Sequence, residues 1–392
     1  MSRCIGCGAI LQTTNELLPG YIPPSADAES KAYCKRCFMI RHHNLDYSLD
    51  NLNLMSNPEL VKQKHYEYMT LLQNIKNENC LVLLMIDALD IYTGIIPDIK
   101  RIVGNNPVWI LANKSDLFPK DLKLNKIKEK IEKLSKDNGI DTKNIFFISC
   151  YKEHNVDVIM ERMFANLNKK HYPSNNIYII GSTSVGKSTF INLVLKKYAK
   201  TVDLITTSME ANTTTNLIKI GVGKNHEGKD CYLIDTPGYL NERSILSCAP
   251  LETLKILVPK NFIRVKTYQL KEEQTIYLGG LVRMDFKCEK LSASFYVSDK
   301  LYIHRTKTMN AQKAYENLKF KEIVPPFNEE ELKMYGKNHQ VKVKVEGSIN
   351  IWLSGIGIVH IKGIGEITVT HPEMVMVTLD YDELSWFRTN DD

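Results

Sequence analysis

The chain has 392 residues, 43% of them hydrophobic and 24% charged, and a formal net charge of +6 at pH 7. This length and composition exclude an intrinsically disordered chain and leave room for two or three domains. The small positive charge permits a polyanionic partner such as nucleic acid without requiring one. The apolar run 81–86 is far shorter than the roughly 20 residues that cross a bilayer, so we expect no membrane partner.

Four of the nine cysteines stand in two Cys-x-x-Cys pairs near the N-terminus, Cys4 with Cys7 and Cys34 with Cys37. Two such pairs can present four thiolates to one tetrahedral Zn²⁺, which would supply the folding free energy that a short, weakly periodic segment lacks. We therefore predict a zinc-binding module over residues 1–57, with a redox role of the pairs as the alternative. The odd cysteine count and the lack of a secretory signal predict a cytoplasmic protein.

Between residues 58 and 245, apolar segments typical of buried strands alternate with helical patterns. This alternation predicts an α/β fold with a mainly parallel sheet that helices cover on both faces. Ligands of such sheets bind beyond the carboxyl ends of the strands. The predicted strands are 81–86, 108–112, 145–148, 177–180 and 231–234, and the predicted helices include 58–76, 121–134 and 156–167.

The first candidate binding motif, Asn113-Lys114-Ser115-Asp116, follows the strand 108–112. The Asp116 carboxylate can accept hydrogen bonds from two donors of guanine, N1–H and the exocyclic amine, whereas adenine lacks this pair and would leave the carboxylate unpaired. Asn113 would hold the loop and approach N7 of the base, and the stem of Lys114 would cover the ring. The alternative is a strand-to-helix turn in which Asp116 is a solvated cap.

A shorter signal, Ser149-Cys150, ends the strand 145–148. A backbone N–H at this position would meet the guanine O6. The alternative is a loop serine beside a buried cysteine.

A phosphate-binding loop is predicted at 181–188, where Gly-Ser-Thr-Ser-Val-Gly-Lys-Ser matches G-x-x-x-x-G-K-S between a strand and a helical pattern. The glycines let successive N–H groups point at a phosphate, and the helix N-terminus adds its positive dipole end. Lys187 would then neutralise the β- and γ-phosphates, and the Ser188 hydroxyl would hold Mg²⁺. The alternative is a glycine-containing turn with an ordinary surface lysine.

The segment Asp235-Thr236-Pro237-Gly238 ends the strand 231–234. At this place a nucleotide hydrolase holds Mg²⁺ through an acid, here Asp235, and senses the γ-phosphate through a glycine N–H, here that of Gly238. Thr214, within the threonine run 213–215, would close over Mg²⁺ and the γ-phosphate. The alternatives are an Asp-x-Pro-Gly turn and an ordinary polar loop.

Together these motifs predict a P-loop GTPase domain over residues 58–245 that binds GTP or GDP and Mg²⁺. The residues expected to act in hydrolysis are Lys187, Thr214 and Gly238, and those expected to bind Mg²⁺ are Ser188, Thr214 and Asp235. The residues expected to contact the nucleotide are Asn113, Lys114, Asp116, Ser149, Cys150, Gly181, Ser184, Val185, Gly186, Lys187, Ser188, Thr189, Asp235 and Gly238.

Residues 246–392 have a different texture, with short strand-like stretches at 274–278, 293–297 and 341–345 and a helical segment at 309–318. This predicts a C-terminal α+β, β-rich domain. Charge is segregated within it, because residues 255–344 have 18 basic and 10 acidic side chains, whereas residues 346–392 have 2 and 8. Several aromatic residues of the basic part would stack on RNA bases or else belong to the core: Tyr268, Tyr277, Phe286, Phe295, Tyr296 and Tyr302.

The order of the motifs is unusual, because the guanine-reading loop precedes the phosphate-binding loop, whereas in ordinary GTPases it comes last. Permutation only moves the chain termini, so the same strand-end loops can build the same pocket. With this order, the two cysteine pairs, Thr213-Thr214, and the glycine motifs at 278–281 and 354–357, the chain resembles the circularly permuted GTPases, and among them the YqeH family, over nearly its whole length.

This resemblance implies an assembly factor for the small ribosomal subunit, in which GTP hydrolysis controls release or checking of an rRNA-containing intermediate. It implies rRNA as a partner, allows ribosomal proteins as partners, and suggests that the C-terminal domain is similar to the trp RNA-binding attenuation protein fold. Two alternatives stay open: a GTP-dependent metal chaperone that transfers zinc, and a regulatory GTPase that binds only protein partners.

Three features depart from common patterns. Family members often have asparagine at the position of Ser184, where it helps to hold an activating K⁺, so K⁺ stimulation stays open here. Ala211-Asn212 replaces the usual Pro-Gly before the switch threonines. Tyr239 stands where many GTPases have a water-orienting glutamine, which is normal for this family and predicts slow intrinsic hydrolysis.

Overall fold

The structure is a computed structural model that describes residues 10–14, 20–23, 34, 66, 68–70, 72–118, 122–167, 176–198, 218–225 and 227–381. Its strands are β1 (Cys80–Asp87), β2 (Val108–Asn113), β3 (Ile145–Phe147), β4 (Asn176–Ile180), β5 (Ile218–Lys224), β6 (Asp230–Asp235), β7 (Lys266–Leu278), β8 (Val282–Val297), β9 (Ile303–Lys307), β10 (Asn338–Leu353), β11 (Gly357–Pro372) and β12 (Val377–Asp380). Its helices are α1 (Ile91–Gly94), α2 (Ile99–Val103), α3 (Leu124–Asp137), α4 (Val156–Leu167), α5 (Lys187–Tyr198), α6 (Leu251–Leu257), α7 (Ala311–Leu318) and α8 (Glu329–Met334). Short 3-10 turns cover Ile75–Asn77, Ser115–Leu117, Ile245–Ser247 and Thr308–Asn310.

The first sheet has the strand order β3-β2-β1-β4-β6-β5, and all of its neighbouring pairs are parallel except β5 with β6. Every residue of β1 is buried, because alternate side chains enter two different cores. Val82, Leu84 and Ile86 join one apolar cluster, and Leu81, Leu83 and Met85 join the cluster on the opposite face. The predicted α/β sheet, mainly parallel and covered on both faces, is therefore observed.

The register brings the carboxyl ends of four strands to one edge of this sheet. Asp87 at the end of β1 pairs with Asn113 at the end of β2, and Asp235 at the end of β6 pairs with Ile179 of β4. The loops that follow these strands, which contain the predicted binding motifs, therefore emerge side by side.

Strand β5 was not predicted. It lies at the edge of the sheet and runs antiparallel to β6. Its sequence, Ile-Lys-Ile-Gly-Val-Gly-Lys, contains the glycines and lysines that weaken a strand pattern but suit an exposed edge.

The second sheet is antiparallel, with the strand order β12-β10-β11-β8-β7-β9. Its long strands have 13 to 16 residues, so the predicted short stretches were parts of much longer elements. Bulges at Leu270/Glu272 and Ile364/Gly365 break the alternation that marks a strand in the sequence. The core of this sheet includes residues from Ile245 onward.

Most of the aromatic residues considered for RNA stacking are core residues. Tyr277, Phe286, Phe295 and Tyr296 are buried, so the interpretation of these four as a stacking surface is wrong. Tyr302 is exposed and Tyr268 is half-buried.

The two sheets contact each other through one end of the second sheet. Tyr296, Trp352 and Ile358 belong to an apolar cluster of the first sheet, and the rings of Tyr92 and Trp352 meet edge to face, with centroids 5.3 Å apart. An ion pair of 2.8 Å between Lys130 of α3 and Asp380 of β12 adds a polar contact. Within the described ranges, no helix combines the length and the hydropathy that crossing a membrane requires.

Candidate functional site

The phosphate-binding loop lies between the end of β4 and the start of α5. Gly181 has φ +155°, and a Cβ there would meet the Met85 carbonyl oxygen at 2.2 Å, so only glycine fits. Ser184 with φ 61° and Gly186 with φ 102° adopt left-handed conformations. This alternation turns successive backbone N–H groups toward one side, which forms a concave site for an anion.

The Lys187 ammonium lies beneath this loop. The side chain is only 2% exposed, and Nζ donates hydrogen bonds to the carbonyl oxygens of Gly181 at 2.9 Å and Ser182 at 2.8 Å. Ser188 and Thr189 follow in the first turn of α5 and are half-buried. A positive charge is thus held at the N-terminus of a 12-residue helix, where the helix dipole also favours an anion.

One amide joins three of the predicted loops. Asn113 Nδ2 donates to the Val185 carbonyl oxygen at 2.8 Å, and Asn113 Oδ1 accepts from the Cys150 N–H at 3.0 Å. A Cβ on Gly186 would lie 2.3 Å from the same Nδ2. Asn113 therefore fixes the distance between the loop after β2, the loop after β3 and the phosphate-binding loop.

The rest of the predicted base-reading loop contacts the end of β1. Lys114 has φ 68°, and its ammonium lies 2.6 Å from the Asp87 carboxylate. Asp116 lies in the turn Ser115–Leu117 and is half-buried. Burial raises the pKa of the Cys150 thiol, and the Asp116 carboxylate raises it further. The two residues are therefore neighbours, and a thiol held neutral is not a nucleophile.

The loop after β3 turns back on itself. Ser149 is fully buried and exchanges two backbone hydrogen bonds with His154, while its hydroxyl accepts from the Lys152 N–H at 2.9 Å. The Ser149-Cys150 backbone lies beside Asn113, and its two N–H groups donate to the His154 carbonyl oxygen and to Asn113 Oδ1. The predicted contact of one of these N–H groups with the guanine O6 stays a prediction.

The segment after β6 lies directly against the phosphate-binding loop. The Thr183 N–H donates to the Tyr239 carbonyl oxygen and the Tyr239 N–H to the Gly181 carbonyl oxygen, both at 3.0 Å. A Cβ on Gly238 would lie 2.7 Å from Thr183 Cγ2. Asp235, the last residue of β6, is buried at the same edge of the sheet.

Two acidic residues of the site were missed in the sequence. Asp87 ends β1, a position that itself marks a ligand site in parallel sheets, so its signal was present but unused. Asp90 follows in the next loop, and its Oδ2 accepts hydrogen bonds from the Ser354 hydroxyl and the Gly355 N–H, both at 2.9 Å. Contacts between residues this far apart in the chain leave no local pattern.

Asp90 belongs to a cleft beside the phosphate-binding loop. Burial raises the pKa of its carboxyl, and the hydrogen bonds from Thr93, Ser354 and Gly355 oppose that shift. Along the described part of the chain, the cleft is lined by Asp87, Asp90, Thr93, Gly94, Ser182, Thr183, Ser184, Val185, Asn241, Ser244, Leu246 and Ser247. The cleft therefore connects the phosphate-binding loop, the loop after β1 and the segment that follows Gly238.

Four predicted site residues lie outside the described residues: Thr214, Cys4, Cys7 and Cys37. Cys34 is described and is buried. In the described ranges, no group of three or more His, Cys, Asp or Glu side chains could hold a metal ion. The zinc site therefore stays a prediction.

The described residues fit a nucleotide. The glycine positions 181 and 186 leave room only for backbone, as a cradle for phosphate requires, and Lys187 supplies a buried positive charge beside it. Asp116 offers acceptor oxygens at the edge where Asn113 and Cys150 meet.

Two family models match the chain. One, described as "YqeH-like, C-terminal", matches residues 290–381, and the other, described as "50S ribosome-binding GTPase", matches residues 176–276. The second match includes the phosphate-binding loop and the segment 235–238, whereas Asn113 to Asp116 precede it. The chain thus contains a P-loop GTPase domain, and such domains bind GTP and GDP with Mg²⁺ and hydrolyse GTP.

The chain is also similar to curated proteins. The chain is 31% identical over 329 residues to the "Uncharacterized protein YqeH" of Bacillus subtilis, a match that covers 83% of this chain and 84% of that protein. It is 24% identical to "NO-associated protein 1, chloroplastic/mitochondrial" of Arabidopsis thaliana, over 95% of this chain and 72% of that protein. A shorter match, 26% identical over 43% of this chain and 51% of the relative, is to the mouse "Mitochondrial ribosome-associated GTPase 1".

Proposed function

The chain belongs to the YqeH family of GTPases, and from this premise we propose that it is a GTP-hydrolysing assembly factor for the small ribosomal subunit. In this proposal it acts as a nucleotide-dependent switch on an intermediate that contains rRNA. The observation that carries the nucleotide part is the Asn113 amide, which bonds to Val185 of the phosphate-binding loop and to Cys150 of the loop after β3. A guanine reader and a phosphate cradle connected in this way form one pocket.

The proposed circular permutation rests on the same contact. Asn113 precedes Val185 by 72 residues in the chain, although the guanine-reading loop of ordinary GTPases follows their phosphate loop. Because Asn113 and Val185 meet in space, chain order does not separate the two halves of the pocket.

The proposed roles follow from the chemistry of each group. Lys187 stabilises negative charge on the β- and γ-phosphates, and the Gly238 N–H senses the γ-phosphate. Asp116 accepts hydrogen bonds from guanine, and Lys114, held by Asp87, covers the base. When bound, Mg²⁺ would neutralise charge that develops between these phosphates; Ser188, Asp235 and, from the sequence, Thr214 are its proposed ligands.

Slow intrinsic hydrolysis is supported by the position of Tyr239. Its ring is buried and packs against Tyr68, with centroids 5.6 Å apart. Burial raises the pKa of its hydroxyl, so the group stays neutral. A side chain held in the apolar cluster of the sheet cannot align a water at the γ-phosphate, so an assembling partner would have to complete the site.

The ribosome as partner is supported by the description of the matched GTPase model and by the printed name of the mouse relative. That model description mentions 50S, whereas we propose the small subunit on the family resemblance, with rRNA and ribosomal proteins in contact. The cysteine pairs are proposed to bind a structural Zn²⁺. A cytoplasmic location is proposed as well, although the name of the Arabidopsis relative includes two organelles.

Co-sedimentation with purified ribosomal subunits tests the proposal. The chain should pellet with small subunits in the presence of a non-hydrolysable GTP analogue and much less with GDP. The Asp116→Asn variant should no longer pellet with small subunits in the presence of the GTP analogue. It should pellet again with the corresponding non-hydrolysable xanthosine triphosphate analogue, because the asparagine amide donates to the xanthine C2 carbonyl. Binding to large subunits alone would overturn the small-subunit assignment, and equal pelleting with both nucleotides would overturn the switch.

A further inference from the structure

Tyr68 connects the start of the chain to the candidate site. Residues 66, 68–70 and 72 are helical and precede the turn Ile75–Asn77, which leads into β1. Tyr68, Leu72 and Ile75 are buried in the apolar cluster on one face of the first sheet. Two residues before Tyr68, Tyr66 is 70% exposed, whereas Tyr68 is only 6% exposed. The helix therefore turns one tyrosine toward the sheet and the other toward solvent.

The Tyr68 side chain lies where the nucleotide-sensing segments meet. Its ring packs against Tyr239 with an interplanar angle of 53°. Its hydroxyl lies toward Thr236 and the backbone of Gly181, and burial raises the pKa of this hydroxyl strongly. One side chain thus faces the phosphate-binding loop and both sides of Gly238.

The Tyr239 backbone holds Gly238 in place. Its carbonyl oxygen and N–H bond to Thr183 and Gly181, so residue 239 adds a short parallel bridge to the phosphate-binding loop. Gly238 then lies against Thr183, so closely that a Cβ would be 2.7 Å from Thr183 Cγ2. Gly238 is therefore held beside the phosphate-binding loop, where in the proposed site its N–H would recognise a γ-phosphate.

We propose that Tyr68 is a positioning residue for γ-phosphate recognition: its ring supports Tyr239 and thereby keeps Gly238 against the phosphate-binding loop. The proposal rests on the GTP-binding function proposed above and adds the regulation of that site by the segment that precedes the sheet. GDP has no γ-phosphate, so its binding does not depend on Gly238. Loss of the Tyr68 ring should therefore weaken GTP binding and leave GDP binding nearly unchanged.

Three variants of the full chain test this selectivity: Tyr68→Leu, Tyr68→Phe and, as the matched control on the same helix, Tyr66→Leu. Fluorescence titration would give the Kd values for GDP and for a non-hydrolysable GTP analogue. For Tyr68→Leu we expect a loss of about threefold to tenfold for the GTP analogue only, the range that an aromatic pair contributes. Tyr68→Phe and Tyr66→Leu should stay within about twofold of wild type.

Equal losses of affinity for both nucleotides in Tyr68→Leu would overturn the inference, because a merely structural role does not distinguish GTP from GDP. No loss of affinity for either nucleotide would overturn it as well. If the wild-type chain binds neither nucleotide, the proposed function itself fails. If the wild-type chain binds both and Tyr68→Leu does not discriminate between them, only the inference about Tyr68 fails. A second test, hydrogen exchange, uses only the wild-type chain and therefore does not require that a variant folds. Peptides containing Tyr68 and Tyr239 should both change protection between the GDP and GTP-analogue states, and a change at Tyr239 alone would contradict the proposal.

Discussion

The Ser354 hydroxyl donates a 2.9 Å hydrogen bond to Asp90 Oδ2 across 264 residues of chain. The neighbouring Gly355 N–H donates to the same oxygen, and a Cβ on Gly355 would lie 2.8 Å from Leu246. The turn between β10 and β11 therefore contacts both the loop after β1 and the segment that follows Gly238. We therefore expect a displacement of that segment to reach the second sheet through this turn.

Replacement of Asp90 by alanine should destabilise the protein. The change leaves the Ser354 hydroxyl and the Gly355 N–H without their acceptor, at a cost of about 1–3 kcal/mol. Urea unfolding measures this loss. As a control, Asp141→Ala, at an exposed position, should change the free energy of unfolding by less than about 0.5 kcal/mol. Similar stability of the two variants would show that the turn is not held by Asp90.

The Asp90→Asn variant should gain stability relative to wild type as the pH rises. Burial raises the folded-state pKa of Asp90, so its protonated form stabilises the fold below the unfolded pKa of about 3.9. This contribution is lost as the pH rises through the folded-state pKa. The asparagine stays neutral and still accepts both hydrogen bonds. Unfolding free energies measured from about pH 4 to pH 8 should therefore diverge, and parallel curves would refute the assigned shift.

Asn113→Ala should both destabilise the protein and weaken nucleotide binding. It leaves the Cys150 N–H and the Val185 carbonyl oxygen unpaired in a buried setting, which costs about 2–4 kcal/mol. Asn138 is a matched control, because its amide donates to the Leu134 carbonyl oxygen at an exposed helix end. Calorimetry should show weaker nucleotide binding, and thermal unfolding a lower Tm, for Asn113→Ala than for Asn138→Ala. Equal affinities and equal Tm values would show that Asn113 does not connect the proposed base-reading loop to the phosphate-binding loop.

Zinc analysis tests the N-terminal prediction. Purified wild-type chain should contain about one Zn²⁺, as four thiolates in two pairs bind one ion. Cys34→Ser should lose it, and Cys288→Ser, a half-buried cysteine of β8, should keep it. Elemental analysis by mass spectrometry gives the ratio directly. Zinc retained by Cys34→Ser would refute the ligand assignment.

The five parallel strands of the first sheet were predictable because each contains an uninterrupted apolar run, as in β1, and such a run can be recognised without knowing the strand's partners. The antiparallel edge strand β5, with its glycines and lysines, has no such run and was missed. The phosphate-binding loop was readable for a similar reason, since its glycines and Lys187 stand at fixed spacings. The direction of the strands alone predicts that the other motif loops lie at the same edge of the sheet as the phosphate-binding loop.

Other features have no local signal. The contact of Ser354 with Asp90, the ion pair of Lys130 with Asp380 and the packing of Tyr68 on Tyr239 all join residues far apart in the chain. The length of the C-terminal strands was underestimated because bulges and polar stretches such as Lys271-Glu272-Glu273 interrupt their alternation. Aromatic residues between lysines were open to two interpretations, and burial decided between them.

The contact between Gly186 and the Asn113 amide restricts how this sequence can diverge over generations. A methyl group at position 186 would have to occupy the volume of that amide, and a smaller residue at position 113 would free the space only by removing the tie between the loops. We therefore expect glycine at position 186 and asparagine at position 113 to occur together in relatives that keep this pocket.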